Sequence, residues 1–382
     1  MSEISDQIQT LVPDYVRNLQ VYQAGKPIEE LARERGLTKI SKLASNENPL
    51  GPSPYAIKAM TNGLWDVHRY PDMSAYLLKS SLGKLYKLKN ENIILGNGSE
   101  GIMGYIARAF IQPGQEVLTS QNSFIGFSII VRSVGAILKT VPLTKDYRFD
   151  VEALAKNITK KTKVIYICNP NNPTGTYINK KEFDYLMSHV PNHVLVILDE
   201  AYFEYAVGKD DYPNSMDYRY DNVLTLRTFS KAYGLSGIRI GYGFGHEDLI
   251  SNLTKVKLPF EPGTIAQLGA AGAIHDKPHL KRTILNNQRR YTEAFDFLSK
   301  HEFNPIKSVA NFIAFKTGSE EASRYMFEEL LNHGVIIRQL KANEMPDYVR
   351  VSLGLKSEMN HYFKAMENIL PEYNKRYGRP KK

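Results

Sequence analysis

The sequence predicts an α/β protein: a large domain with a mostly parallel, seven-stranded sheet between helices, followed by a smaller α+β domain. Through the middle of the chain, apolar runs alternate with amphipathic stretches, the pattern of parallel strands joined by crossover helices. After about residue 285 the pattern changes to a long polar helical stretch around 289–300, then short strands set between helices. The size agrees, since 382 residues that are 42% hydrophobic supply core for two or three compact units.

Taken in order, residues 1–45 read as an arm that joins the smaller domain or a dimer interface. The first 40 residues offer one helical piece, 28–34, and the turn Ala24-Gly25-Lys26-Pro27, but no strand run. Residues 46–285 form the large domain, with strands expected at 93–95, 116–119, 136–141, 164–168, 194–198, 223–227 and 238–244. Crossover helices are expected at 101–110, closed by Gln112-Pro113-Gly114, and at 180–189. Residues 286–382 form the smaller domain, with strands at 311–315, 335–338 and 349–352. There is no internal repeat.

Several function classes drop out. No run approaches the roughly 18 to 20 apolar residues of a membrane helix, and Met1 to Thr10 has neither a basic nor an apolar leader segment. A soluble, unprocessed protein is expected. Cys168 is the only cysteine, which forbids an internal disulfide and suits a reducing compartment, the cytosol. The net charge of +9 (49 Lys and Arg against 40 Asp and Glu) would serve nucleic acid, a membrane surface or small anions. Five positives, Lys375, Arg376, Arg379, Lys381 and Lys382, crowd the end and read as a frayed, solvated tail. No Arg-rich segment interleaved with aromatics occurs elsewhere, which excludes nucleic acid as the main partner. Small anionic substrates remain.

The chemistry gathers at predicted strand ends. In Thr228-Phe229-Ser230-Lys231-Ala232-Tyr233-Gly234-Leu235-Ser236-Gly237-Ile238-Arg239, a lysine stands just past a strand, in the crevice where open α/β sheets bind ligands. Thr228, Ser230 and Arg239 can hold a phosphate while the amine stays available to a carbonyl, the combination that pyridoxal phosphate requires. A lone lysine would equally well end a strand in solvent. Asp199 ends an apolar strand, where an unpaired carboxylate is costly. A protonated pyridine nitrogen would satisfy it and act as electron sink, with Tyr202 in reach of the ring hydroxyl; a helix N-cap is the other reading. Asn169-Pro170-Asn171-Asn172-Pro173-Thr174-Gly175 is a rigid turn that aims Asn172 at the crevice or is only a turn. Gly96-Asn97-Gly98-Ser99-Glu100-Gly101 spells the dinucleotide fingerprint, but the acidic residue at the right spacing, Glu116, opens its strand instead of closing it. A phosphate cradle at a helix N-terminus, with Ser99, is the better reading.

With these segments in this order, the chain resembles the fold-type I pyridoxal-phosphate aminotransferases, and within them the histidinol-phosphate aminotransferase family. The resemblance covers nearly the whole chain. Its narrower signals are Ala44-Ser45-Asn46-Glu47-Asn48-Pro49-Leu50-Gly51-Pro52-Ser53-Pro54, Arg69-Tyr70-Pro71-Asp72 and Tyr22-Gln23-Ala24-Gly25-Lys26-Pro27.

The resemblance implies a homodimer that converts histidinol phosphate and 2-oxoglutarate to imidazole acetol phosphate and glutamate in histidine biosynthesis, using pyridoxal 5'-phosphate and no metal. It implies Lys231 as the Schiff-base residue and proton shuttle, Asp199 on the pyridine nitrogen, and Asn172 and Tyr202 on the ring oxygen. Ser99, the backbone of Glu100, Thr228, Ser230 and Arg239 would hold the phosphate, and Tyr70 would reach the phosphate in the neighbouring subunit. Phe124 stands where the family usually has a ring-stacking tyrosine. Arg350 matches the arginine that grips the donor carboxylate, and Tyr22, Asn46 and Arg338 complete the substrate site. The chain departs from many relatives after Arg338: it reads Gln339-Leu340-Lys341-Ala342-Asn343-Glu344, where they have Pro-Leu and a Gly-Tyr-Gly-like stretch. This puts donor choice in question, so an aromatic amino-acid aminotransferase and a threonine-phosphate decarboxylase-like enzyme stay open. A regulator that kept only the fold is disfavoured by the intact Lys231, Asp199 and Arg239.

Overall fold

The computed structural model describes residues 10–19, 21, 25–218 and 220–378. Its strands are β1 (Ser41–Lys42), β2 (Ile93–Gly96), β3 (Glu116–Ser120), β4 (Ile137–Val141), β5 (Thr162–Cys168), β6 (Leu195–Asp199), β7 (Val223–Thr228), β8 (Gly241–Phe244), β9 (Phe312–Lys316), β10 (Val335–Ile336), β11 (Arg338–Gln339) and β12 (Tyr348–Ser352). The large sheet runs β2-β8-β7-β6-β5-β3-β4, and β8 alone is antiparallel to its neighbours. Its central strands β5 and β6 carry the apolar runs Val164–Cys168 and Leu195–Leu198, interrupted only by Tyr166, and both runs are buried, as in strands covered by helices on both faces.

Local signals start the helices that cover it. Ser53 accepts the N–H of Ala56 ahead of Pro54 at the first helical position, and Asn179 with Glu182 forms a capping box for Lys180–His189. One apolar cluster packs Ile106, Val117, Ile165 and Ile197. Another packs Leu95, Phe229 and Tyr242 against Ala270 of the helix Thr264–His275. A separate core joins Ile313, Phe315, Val349 and Val351 to Leu330 and Met366 beneath the antiparallel sheet β11-β12-β9.

Several expectations need correction. The strand expected at 238–244 begins only at Gly241, because Ser236–Ile238 is a 3₁₀ turn and Arg239 has left-handed φ of 52°. The strand expected at 335–338 is two, since Val335–Ile336 pairs with β1 and Arg338–Gln339 pairs with β12 in another sheet. The N-terminal segment holds a short second helix, Asp14–Arg17, besides Ile28–Arg35. The helix expected around 289–300 spans Lys277–Lys300, started by the Asp276 cap, and runs across the expected boundary at residue 285. Lys375 and Arg376 are not in a frayed tail: they lie in the last turn of Lys356–Tyr377, where Tyr373 is buried and Arg376 bonds Glu372 at 2.6 Å. The three other basic residues of that tail lie outside the described residues.

Candidate active site

The connections diverge at neighbouring strands: β3 leads outward to β4, and β5 leads the other way to β6, the arrangement that opens a ligand crevice in an open sheet. A cleft opens at these ends. It is lined by Ser99 and Glu100 after β2, Phe124 after β3, Cys168 and Asn172 at the end of β5, and Asp199, Ala201 and Tyr202 at the end of β6. Thr228, Ser230, Lys231, Ser236 and Arg239 complete it after β7.

Asp199 is only 2% exposed. Its carboxylate accepts the Tyr166 hydroxyl at 2.6 Å and the Ala201 N–H at 3.2 Å. The next helix, Phe203–Ala206, takes Tyr202 as its N-cap, so the cap reading of Asp199 does not hold. Burial raises its pKa to about 6, and the Tyr166 hydrogen bond opposes that rise. Lys231 shows the mirror effect: burial, with Arg350 and Arg239 nearby, lowers its pKa to about 8. Its Nζ donates to the carbonyl of Ser45 at 3.3 Å and lies 5.9 Å from the centre of the Tyr202 ring.

At the other end of the cleft the groups suit an anion. Ser99 stands in the first turn of the helix Gly98–Phe110. Thr228 Oγ1 lies 3.0 Å from Ser230 Oγ and accepts the Ser230 N–H at 3.1 Å. The Arg239 guanidinium reaches Ser236 O at 2.9 Å and Glu100 Oε2 at 3.3 Å. Gly98, at φ +74°, leaves it room: a Cβ there would sit 2.6 Å from Arg239 Nη2.

The C-terminal sheet closes one side. Arg350 donates to Asn172 Oδ1 and, at 2.8 Å, to the carbonyl of Ala44. Arg338 is its cross-strand partner. Asn46, at φ 55°, donates to the Tyr202 hydroxyl at 2.9 Å and accepts from Ser352 Oγ at 2.9 Å. Tyr70 is not in this cleft: it is 80% exposed and stacks on Phe260 with ring centres 4.2 Å apart. Tyr22 lies outside the described residues.

Sequence reasoning missed Tyr166 and the Ser45 carbonyl. A hydroxyl two positions before Cys168 in an otherwise apolar strand was the available signal for Tyr166, because Cys168 pairs with Asp199 across β5 and β6. It also missed the fully buried pair of Arg227 and Glu200, 2.8 Å apart, each adjacent in sequence to a cleft residue.

These residues fit pyridoxal phosphate. Asp199 is a buried carboxylate at the cleft floor that forms no ion pair among the described residues, so a ring N–H⁺ would meet the need burial creates. A phosphate would find Arg239, Thr228, Ser230 and the N-terminus of the helix Gly98–Phe110 together, with Gly98 leaving room for the guanidinium.

The family model "Aminotransferase class I and II" matches residues 38–365. Histidinol-phosphate aminotransferase 2 of Hydrogenovibrio crunogenus is 41% identical over 363 residues, 94% of this chain and 96% of that protein. Histidinol-phosphate aminotransferase 2 of Carboxydothermus hydrogenoformans is 38% identical over 362 residues, 94% of this chain and 99% of that one. Among solved structures, histidinol-phosphate aminotransferase from Sinorhizobium meliloti, in complex with pyridoxal-5'-phosphate, superposes with a TM-score of 0.86 at 28% identity, covering 94% of this chain and 98% of that chain.

Proposed function

Because the chain belongs to the class I and II aminotransferase family, we propose that it moves the amino group of histidinol phosphate to 2-oxoglutarate. It is a pyridoxal-phosphate-dependent aminotransferase of fold type I. When bound, pyridoxal phosphate supplies the carbonyl that takes up the amino group and the electron sink for the bond broken at the donor carbon.

The chain's own residues divide the remaining work. Asp199 would keep the ring nitrogen protonated, Asn172 and Tyr202 would hold the ring oxygen, and Phe124 would stack on the ring, which needs a π-face and no hydroxyl. Ser99, the Glu100 N–H, Thr228, Ser230 and Arg239 would hold the phosphate. Lys231 Nζ, its pKa lowered to about 8, is poised to take a proton from the donor carbon and return it on the other side of the transfer. Asn46 orients Tyr202 through its 2.9 Å hydrogen bond, and Tyr22 would join the donor side of the site.

The observation that carries the choice of substrate is the pairing of Arg338 with Arg350 across β11 and β12, Arg350 reaching Asn172 of the cleft lining. The donor brings a phosphate and no α-carboxylate, whereas glutamate brings two carboxylates. Guanidinium forks bind both groups bidentately, so one pair of arginines serves the two substrates in turn.

The surface supports a homodimer. Leu64, Trp65, Val67, Tyr70, Tyr76 and Leu77 are each more than half exposed, with Trp65 at 86%, and so dense an apolar stretch asks for a partner. A second copy would cover it and receive Tyr70 at its phosphate. Cys168 as a free, buried thiol agrees with a cytosolic place, and no described helix is long and apolar enough to cross a membrane.

Arg338→Ala tests the substrate. Charge-assisted hydrogen bonds contribute about 1.5–3 kcal/mol each, so kcat/KM for histidinol phosphate should fall at least ~10-fold further than kcat/KM for phenylalanine. Equal losses would return Arg338 to a strand-end role and favour an aromatic donor.

A further inference from the structure

We propose that Asn122 and Asn343 form a latch between the loop that leads into Phe124 and the connection of β11 to β12, which positions the strands bearing Arg338 and Arg350 and thereby sets affinity for the amino donor. Asn122 Nδ2 donates to the main-chain carbonyls of Asn343 at 2.8 Å and Glu344 at 3.2 Å. In return, Asn343 Nδ2 donates to the carbonyl of Ser123 at 3.1 Å. Each loop thus offers a side-chain amide to the other's backbone, and the two directions together fix both the distance and the register of the loops.

What each loop carries makes the contact functional. Asn122 and Ser123 immediately precede Phe124, which lines the cleft. Ser123 Oγ donates to Asn171 Oδ1 at 3.0 Å and Asn171 Nδ2 donates to Asn122 O at 3.1 Å, so this loop is tied to the turn whose next residue, Asn172, accepts from Arg350. On the opposite side, Asn343 ends the 3₁₀ turn Lys341–Asn343 between β11 and β12. That turn is bound to its strands by Leu340 N–H to Tyr348 O and Met345 N–H to Leu340 O, both 3.1 Å, with Leu340 and Met345 buried. A hairpin pinned at its turn by Asn343 and along one strand by Arg350 presents Arg338 at one setting. The left-handed φ of Asn122, 52°, suits asparagine better than most residues, so backbone and amide make the same demand there.

The proposal rests on Arg338 and Arg350 being the donor's anion site, and the test separates the two. Holoenzyme variants Asn343→Ala, Asn122→Gly and the double variant would be compared, glycine keeping the left-handed backbone while removing the amide. Single-turnover amino transfer from histidinol phosphate, followed by cofactor absorbance, gives half-saturating donor concentration and saturating rate separately. Cofactor affinity is titrated alongside. Losing one or two hydrogen bonds should raise half-saturation by about three- to tenfold in each single variant, with saturating rate and cofactor affinity changed less than about twofold. The double variant should lose less than the product of the singles, because either break already frees the hairpin. Unshifted half-saturation in both singles, or a loss shared equally by saturating rate and cofactor affinity, would overturn the latch. Arg338→Ala run in parallel assigns the failure: a shift in Arg338→Ala alone sinks the latch and leaves the substrate reading standing, whereas no shift in Arg338→Ala sinks both.

Discussion

Asp199 and Lys231 are buried by the same cleft, and burial pushes them in opposite directions on the pH scale, each toward its neutral form. For Asp199 the consequence can be signed. Its folded-state pKa, about 6, lies above the ordinary carboxylate value, so the folded apoprotein binds the proton more readily than the unfolded chain. The carboxylate therefore costs stability at every pH above about 6, and the cost fades as pH falls from 6 toward 4. Asp199→Asn removes it. The apoprotein variant should be more stable than the parent at pH 8, by at most about 3 kcal/mol, with the difference vanishing near pH 4 in thermal melts. The same variant should lose at least ~10² in turnover, since a neutral amide no longer keeps the ring nitrogen protonated, and ~3 kcal/mol of barrier corresponds to about that factor. A stability difference that ignores pH would refute the burial account, and near-parental turnover would refute the ring-nitrogen role.

At the scale of elements, the phosphate turn depends on how closely β8 approaches it. Gly241, the first residue of β8, has no room for a side chain: a Cβ would lie 2.4 Å from Ser99 N and 2.6 Å from Gly98 C, both main-chain atoms. Either the strand or the turn must move to admit a methyl group. Gly241→Ala should cost about 1–3 kcal/mol of stability, the usual range for overpacking, and weaken pyridoxal phosphate binding about tenfold or more in a spectroscopic titration of the apoprotein. Gly237→Ala is the matched control, since a Cβ there meets nothing within 4 Å. Comparable losses in the two variants would show that the approach of β8 is not what shapes the turn.

At the scale of the whole molecule, the exposed Tyr70 and the Lys231 inside the cleft belong to one site only if two copies combine. Tyr70→Ala and Lys231→Ala homodimers should each be poor or inactive. In a mixed dimer, one site takes its lysine from the first chain and its tyrosine from the second, and is intact. Co-refolding the two variants should restore about a quarter of parental activity in a random 1:2:1 mixture. Differentially tagged mixed dimers that show no gain would place Tyr70 outside the neighbour's site.

What the sequence by itself determined was whatever local chemistry dictates. The runs that became β5 and β6 are apolar enough to be strands only in a doubly covered sheet, and Lys180–His189 carries its capping box in its own residues. Asp199, Lys231 and Arg239 were legible as cleft residues only in combination: a carboxylate ending one apolar strand, a lysine just past another, and an arginine eight residues after that lysine. Tertiary structure decided what depends on residues far apart in the chain. Tyr166 bonds Asp199 across neighbouring strands, the Ser45 carbonyl meets Lys231 from 186 positions away, and the run at 335–338 divides because one half finds β1 and the other finds β12. Arg239 leaves the strand pattern because it follows the 3₁₀ turn Ser236–Ile238 with a left-handed φ, and there its guanidinium meets Ser236 and Glu100. Nothing in the sequence links Asn122 to Asn343. Only the folding of two distant segments to within 2.8 Å makes them a contact.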